Sequence, residues 1–234
     1  MQLFYNPQVS NQTITLSEEE SRHCIKVLRM GLDDQIQVID GNGNLYICNI
    51  IDANPKRCIV KIISKNSDIE KRNFHLHIAI APTKSIDRFE WFLEKATEIG
   101  IDEITPMLCE HSERKVVNLE RLERVLVSAL KQSIKAKLPK LNPLTSFEGI
   151  IKASNENKKL IAYCGNFNNP HAQDFIKKGE SVIFLIGPEG DFSPKEVNVA
   201  AQNGFTVVGL STSRLRTETA GLVATSIANI VNGM

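Results

Sequence analysis

Two loops in the last third of the chain carry side chains that could take part in chemistry. The segment Ile186–Gly190 follows an apolar run, and its two glycines would let the backbone approach a ligand closely. The segment Leu210–Thr217 also follows a short apolar run, and it contains Arg216, with Glu218 just beyond it. An arginine can stabilise developing negative charge, and a carboxylate can accept a proton. Each loop taken alone is equally well explained as a polar turn between a strand and a helix.

The elements that must hold these loops follow from the pattern of apolar residues after Phe74. Short apolar runs alternate with segments in which apolar residues recur at helical spacing. Strands are predicted at His75–Ala81, Ile104–Leu108, Leu160–Cys164, Val182–Ile186 and Thr206–Leu210, and helices at Arg88–Ile99, Leu119–Ile134 and from near Pro170, Pro194 and Thr217. This alternation predicts an α/β domain with a mostly parallel sheet, in which ligands bind beyond the carboxyl ends of the strands. Both loops lie at such ends. Ser193 and Glu196 match a capping box with Pro194 at the first helical position, and Thr217 or Thr219 could cap the last helix.

Residues 1–68 follow a different pattern, which is rich in short strands. Strands are predicted at Asp34–Asp40, Leu45–Ile51 and Cys58–Ile63, with a turn at Gly41–Asn44. Ser17 and Glu20 match a capping box, which predicts a helix continuing through Val27. Short strands around one helix predict a small barrel-like domain. The polar segment Lys65–Asn73 is interpreted as the linker to a second domain at 74–234.

The composition is that of an ordinary globular protein, with 42% hydrophobic and 24% charged residues. The net charge of +1 does not by itself indicate a nucleic-acid partner, although Lys131–Lys140 contains four lysines and no acidic residue. Five scattered cysteines without a Cys-x-x-Cys pair argue against a disulfide framework or a zinc site and favour a reducing cytoplasm.

Several other classes of protein are not expected from this sequence. The apolar run Val182–Ile186 is far too short to span a bilayer, and the first residues do not form a secretory signal. The chain has no Walker A loop, and no dinucleotide fingerprint follows a predicted strand. His75 and His77 share one face of a strand, but no third ligand is evident, so no metal site is expected.

Taken together, these segments resemble the RsmE family of small-subunit (16S) ribosomal RNA uridine N3-methyltransferases, within the SPOUT class. The resemblance begins at Arg22–Arg29, and its most specific parts are Ile186–Gly190 and Leu215–Ala220. Between them it includes Lys84, Arg88, Trp91–Gly100, Ser112–Arg114, Gln132-Ser133 and Pro139. The chain departs from the family's pattern at Asp191, Ser211 and Arg214, and it has lysines at 131, 135 and 137 where relatives have a glutamate and arginines.

The resemblance implies a fold, a cofactor and a set of contacts. The fold would be a PUA-like β-barrel at residues 1–68, followed by a SPOUT-type α/β domain at 74–234 with a C-terminal trefoil knot. The cofactor would be S-adenosylmethionine, contacted by Leu185, Ile186, Gly187, Pro188, Glu189, Gly190, Leu210, Ser211, Leu215, Arg216, Thr217 and Ala220. The partner would be ribosomal RNA of the small subunit, contacted by Arg22, His23, Lys26, Arg29, Lys84, Arg88, Lys135 and Lys137.

Catalytic roles are expected near the second loop. Arg216, Arg114 and Arg88 are candidates to stabilise negative charge on the carbonyl oxygens of uracil, and Glu218 is a candidate base, with a structural role as its alternative. The helix expected at Ala220–Asn232 is apolar nearly all round, which, with the resemblance, predicts a homodimer; the alternative is a helix wholly buried within one monomer. Two alternatives stay open. The chain could methylate another RNA or a ribose hydroxyl, or it could be a catalytically silent RNA-binding protein.

Overall fold

The computed structural model of the chain describes residues 2–9, 12–67, 69, 72–165 and 169–233. The chain divides into two compact units. The first consists of Met1–Lys71 and Val127–Leu138, and the second of Arg72–Leu126 and Pro139–Met234. Among the described residues, no helix is long and apolar enough to cross a membrane, and no group of three or more histidine, cysteine or acidic side chains could hold a metal ion.

The first unit is built on a five-stranded sheet with one short helix. Its elements are β1 (Leu3–Tyr5), β2 (Thr13–Thr15), α1 (Glu18–Arg22), β3 (Gln35–Ile39), β4 (Leu45–Asp52) and β5 (Ile59–Asn66). The strand order is β1-β3-β4-β5-β2, with β1 parallel to β3 and the other pairs antiparallel. Alternate residues point into a core that includes Phe4, Ile36 and Val60. The sequence predicts β3, β4 and β5 but not β1 and β2, because three residues are too few to show an alternation.

Helix α1 begins as predicted and ends differently. The Glu20 backbone N–H donates to Ser17 Oγ at 3.2 Å, as in a capping box. The Glu20 carboxylate, however, accepts a hydrogen bond from Lys131 Nζ at 2.7 Å. A π-helical turn, His23–Val27, follows α1. This turn buries Cys24 and leaves His23 and Lys26 exposed.

The second unit is an α/β domain with a seven-stranded, entirely parallel sheet. Its strands are β6 (Leu76–Ile80), β7 (Glu103–Leu108), β8 (Lys140–Leu141), β9 (Thr145–Ser146), β10 (Lys158–Ala162), β11 (Val182–Ile186) and β12 (Thr206–Val208). Its helices are α2 (Ile86–Ile99), α4 (Phe147–Ala153), α5 (Pro194–Gln202) and α6 (Thr217–Val231), and α3 (Leu119–Gln132) runs across the division between the units. The strand order is β12-β10-β11-β6-β7-β8, with β9 also paired to β7. The predicted alternation of strands and helices is therefore confirmed.

Helix α6 packs closely on α2 and on the sheet. Gly221 allows this approach, because a Cβ atom there would lie 2.7 Å from the Phe92 ring and 2.8 Å from Ile80 Cδ1. The sequence predicts Thr217 or Thr219 as the N-cap of α6, and this is wrong. Arg216 occupies the N-cap without a side-chain hydrogen bond, since Thr217 already has helical backbone geometry.

The cap of α5 follows the sequence closely. The Glu196 N–H donates to Ser193 Oγ, the Ser193 N–H donates to the Glu196 carboxylate, and Pro194 is the first helical residue. By contrast, the helix predicted near Pro170 is only a 3-10 turn, Ala172–Phe175. Helix α4 and the two-residue strands β8 and β9 are not predicted from the sequence.

The segment Val127–Leu138 belongs to the first unit, although the sequence assigns it to the second domain. The Gly43 N–H donates to Ala136 O, and the Leu138 N–H donates to Gly41 O. Ala136 and Leu130 are buried in a small apolar cluster with Ile39 of β3. The first unit is therefore assembled from two separate stretches of sequence.

Helix α3 ends in a Schellman motif whose C′ residue is an isoleucine. The Lys135 N–H donates to Leu130 O at 3.1 Å, and the Ile134 N–H donates to Lys131 O at 3.3 Å. Ile134 has a φ of 56°, in the left-handed region where glycine is usual. This conformation costs a residue with a side chain roughly 1–2 kcal/mol.

Candidate active site

A cleft of about 400 Å³ opens in the second unit, at the carboxyl ends of β10, β11 and β12. This is where an open parallel sheet places its ligands. The cleft is lined by Arg88, Ala162, Tyr163, Cys164, Ile186, Gly187, Pro188, Glu189, Asp191, Gly209, Leu210, Ser211, Ser213, Arg214, Leu215, Arg216, Thr217 and Ala220. Three successive strand ends thus contribute to one concave surface.

Most of the residues for which the sequence predicts cofactor contact line this cleft. The two exceptions are Leu185, which is fully buried within β11, and Gly190. A Cβ atom at Gly190 would lie 3.1 Å from His111 Cβ, so this glycine faces the loop that follows β7. Arg88, assigned to RNA from the sequence, also lines the cleft.

Sequence reasoning missed the contribution of the strand next to β11. Tyr163 and Cys164 follow β10, and Gly209 follows β12. The predicted strands could have indicated these residues, because in a parallel sheet the residues just after each strand are candidates for ligand contact. The sequence did not show that β10 lies between β11 and β12.

Asp191 joins two walls of the cleft. Its Oδ2 accepts a hydrogen bond from the Cys164 N–H at 3.1 Å, and its Oδ1 accepts one from the Phe192 N–H at 2.8 Å. Its φ is 63°, a left-handed conformation that aspartate tolerates better than most residues. Asp191 therefore combines a backbone conformation typical of glycine with a hydrogen-bonded carboxylate. Burial, followed by the charge of Asp191, raises the pKa of the Cys164 thiol, and the charge of Arg214 partly opposes this rise.

Glu189 connects the cleft to neighbouring loops. Its Oε1 accepts a hydrogen bond from the Lys84 N–H at 2.9 Å, in the loop between β6 and α2. Its backbone carbonyl accepts one from Arg214 Nη2 at 3.2 Å. The loop after β11 is therefore held from both sides.

Arg114 is not brought to the cleft. Its Nε donates to Thr83 O at 3.0 Å and its Nη2 donates to Lys84 O at 2.6 Å. These bonds hold the same loop whose Lys84 N–H binds Glu189. The geometry makes Arg114 a positioning residue, because its guanidinium is directed at backbone carbonyls.

Glu218 and Arg216 lie next to each other at the start of α6 but have different environments. Arg216 is exposed and lines the cleft. Glu218 is buried, with 7% of its surface exposed, and its Oε2 has no hydrogen-bond partner among the described residues. Unlike Arg216 and Thr217, Glu218 is not among the residues that line the cleft. A buried carboxylate oxygen without a partner is costly, so this position is an unfavourable one for a charged side chain.

The other residues assigned to RNA lie on both units. Arg22, His23, Lys26 and Arg29 are exposed on or beside the π-helical turn of the first unit. Lys135 and Lys137 also belong to the first unit, contrary to the domain in which the sequence places them. Lys84, in the second unit, is exposed and forms an ion pair with Glu113 at 2.8 Å.

A second cavity of about 460 Å³ lies near the amino ends of β6 and β7. His77 Nδ1 lies 2.8 Å from Glu156 Oε1, and His77 Nε2 lies 2.7 Å from Thr105 Oγ1. Asn142 Nδ2 donates to Thr105 Oγ1, which completes a hydrogen-bonded chain. Burial acts to raise the pKa of Glu156, but the hydrogen bond from His77, backbone hydrogen bonds and the electrostatic attraction of His77 together leave the pKa below its ordinary value. Because these groups satisfy one another, the network is structural.

Known protein families match both parts of the chain. The model of an RNA methyltransferase domain matches residues 70–229, and that of an RNA methyltransferase PUA domain matches residues 16–63. These matches confirm the coarser form of the predicted fold, a PUA-like N-terminal domain followed by an α/β methyltransferase domain.

Relatives match along nearly the whole chain. The ribosomal RNA small subunit methyltransferase E of Mesomycoplasma hyopneumoniae (strain 232) is 30% identical, covering 85% of this chain and 86% of the relative. A crystal structure described as a probable rRNA-methyltransferase from Porphyromonas gingivalis is 40% identical with a TM-score of 0.93, covering 99% of this chain and 98% of the other. The structure of a ribosomal RNA small subunit methyltransferase E from Neisseria gonorrhoeae, bound to S-adenosyl methionine, is 26% identical with a TM-score of 0.85, covering 97% of this chain and 95% of the other. The chain belongs to the ribosomal RNA small subunit methyltransferase E family.

Proposed function

We propose that this protein transfers a methyl group from S-adenosylmethionine to N3 of a uridine in 16S ribosomal RNA. The observation that carries the proposal is the cleft at the ends of β10, β11 and β12, because the family's two most specific segments both line it. Family membership supports the same reaction, since relatives along most of the chain are named as small-subunit ribosomal RNA methyltransferases.

The residues of the cleft fit S-adenosylmethionine. A volume of about 400 Å³ lies in the range of small-molecule sites. The aliphatic side chains of Ile186, Leu210 and Leu215 provide an apolar surface for a base, and Gly187, which has no side chain, would let the cofactor approach the backbone closely. When bound, the cofactor supplies a methyl group on a positively charged sulfur.

The chain's own residues would prepare the uracil. N3 of uracil carries a proton, which must be removed before the nitrogen can act as a nucleophile. The Glu218 carboxylate is the proposed acceptor of this proton, and its unpartnered buried oxygen supports the role. The Arg216 guanidinium would stabilise the negative charge that then spreads to the uracil oxygens. Arg114 would act through the Thr83–Lys84 loop, and Arg88 and Lys84 would contact the RNA.

The test is methyl transfer to small ribosomal subunits isolated from cells that lack this protein. Mass spectrometry of the digested 16S RNA should show a new N3-methyluridine after incubation with the protein and S-adenosylmethionine. The variant Glu218→Gln should bind the cofactor with unchanged affinity and lose methyl transfer. A methyl group on a ribose or on another RNA would contradict the proposed substrate. Failure to bind S-adenosylmethionine in calorimetry would contradict enzymatic activity.

We also propose that the protein works as a homodimer through α6. One face of this helix packs within the unit through Gly221 and Ala224, while Leu222 and Ile227 are only partly buried and Ile230 is 66% exposed. An exposed apolar face of this kind supports a second copy as its cover. Light scattering at micromolar concentration should give twice the chain mass of 26.1 kDa. A monomer with full methyltransferase activity would refute the dimer.

Three further points complete the proposal. The first domain would bind RNA and the second would carry out catalysis, in keeping with the two matched families. The trefoil knot of the SPOUT class would involve the C-terminal segment that leads into α6. The cytoplasm would be the location, which agrees with five free cysteine thiols and with ribosomal RNA as the substrate.

A further inference from the structure

The side chain of Ile134 is locally unfavourable in two independent ways. It occupies the left-handed C′ position of the Schellman motif that ends α3, where a β-branched residue is a genuine outlier. It is also 71% exposed, so it contributes little to the core of the unit. Backbone strain that the core does not require points to a role outside the fold.

The sequence on either side of Ile134 is basic. Lys131–Lys137 contains three lysines and no acidic residue. Lys131, one turn before Ile134, forms an ion pair with Glu20 of α1 at 2.7 Å, which joins the end of α3 to α1 within the first unit. The end of α1 and the turn after it carry Arg22, His23, Lys26 and Arg29, all exposed, and this basic segment follows the acidic first turn of α1, Glu18–Glu20. Two basic segments of one unit are thus held together.

We propose that Ile134 is an RNA contact that packs against the face of a nucleobase, while the basic side chains around it meet the phosphates. An aliphatic side chain among cations matches RNA, whose bases are flat and apolar and whose backbone is negatively charged. The inference rests on the proposed function, because it takes ribosomal RNA as the partner. The proposed Ile134 contact is apolar, and it would add to the charged RNA contacts that are proposed for the basic side chains.

The strained position makes the proposal testable, because stability and binding should change in opposite directions. In Ile134→Gly the left-handed backbone becomes unstrained, and the melting temperature should rise by about 2–4 °C. The same change removes the apolar contact, and affinity for small ribosomal subunits that lack the methylation should fall about tenfold. Because no charge is lost, the salt dependence of binding should stay as in the wild type. S-adenosylmethionine affinity, measured by calorimetry, should also stay unchanged.

Two further variants complete the experiment. Ile134→Val keeps a β-branched apolar side chain and should retain most of the affinity. Ile63→Ala removes another exposed isoleucine of the same unit, on β5, and should leave RNA affinity unchanged.

The outcomes separate the alternatives. If Ile134→Gly is more stable and binds subunits as tightly as the wild type, the contact with RNA is refuted. If Ile134→Gly instead lowers the mass measured by light scattering, the side chain serves contact between copies, and the proposal is again overturned. If the wild-type protein itself neither binds nor methylates the subunits, the proposed function has failed, which is a distinct result.

Discussion

Replacing Gly221 with valine tests how closely α6 must approach the sheet to form the cleft. A Cβ atom at this position would lie 2.7 Å from Phe92 Cε2 and 2.8 Å from Ile80 Cδ1, and both of those side chains are fully buried. Overpacking of this kind costs about 1–3 kcal/mol, and the added methyl groups place valine in the upper part of that range. The better helix propensity of valine returns only about 0.3 kcal/mol. The net destabilisation is therefore about 2 kcal/mol, which lowers the melting temperature of a chain of this size by about 4–8 °C.

Gly221→Val should also change the geometry of the cleft. Thr217 and Ala220, which line it, lie within one turn of Gly221, so a displaced α6 moves them away from the cofactor. Calorimetric titration with S-adenosylmethionine should show affinity about tenfold weaker, since small misplacements of binding groups have large effects. Gly31→Ala is the control, because nothing lies within 4 Å of its added Cβ atom. If Gly221→Val melts and binds like the wild type, α6 does not need its close packing and the argument is wrong.

Three other perturbations test separate parts of the molecule. Asp191→Ala should lose about 2 kcal/mol of stability and weaken cofactor binding, because alanine is strained at a φ of 63° and cannot accept a hydrogen bond from the Cys164 N–H. Asp191→Gly removes the same acceptor but tolerates this φ, so it should lose less stability. Equal losses in the two variants would contradict the role of the backbone. Since the pKa of Glu156 is below its ordinary value, the stability that its carboxylate contributes is complete above about pH 4.3 and is lost as the pH falls through the lowered pKa. The free energies of unfolding of Glu156→Gln and the wild type, measured in urea, should therefore become equal in acid. A difference between them that does not change with pH would refute this. Neutralising Arg22, Lys26 and Arg29 together should weaken RNA binding and flatten its salt dependence, and an unchanged slope would exclude phosphate contact by these side chains.

The sequence predicts those parts of the fold that depend on neighbouring residues. Strand β11 is found at its predicted bounds, Val182–Ile186, because a run buried on both faces is apolar throughout. The cap at Ser193 and Glu196 is likewise local and is confirmed. Strand β1, by contrast, pairs with β3 more than thirty residues away. Its three residues alone do not show a pattern from which this pairing could be predicted.

The candidate site shows the same limit. The loops after β11 and β12 could be identified because each carries its own motif. Tyr163 joins them only because β10 lies between the two strands in the sheet, and strand order is a long-range property. Arg114 looked catalytic from its motif, yet its guanidinium is directed at the carbonyls of Thr83 and Lys84, and only coordinates could show this.

The divided first unit has a consequence for how this chain can be cut and recombined. A fragment ending at Lys71 would keep the five strands but lose Leu130 and Ala136, which cover Ile39 of β3. It would also lose the backbone partners of Gly41 and Gly43 and the lysine that neutralises Glu20. The first unit therefore cannot be produced as one continuous fragment, and a single fusion cannot transfer it intact to another enzyme. Any excised version must bring Val127–Leu138 with it, for example through a short linker that replaces the intervening residues.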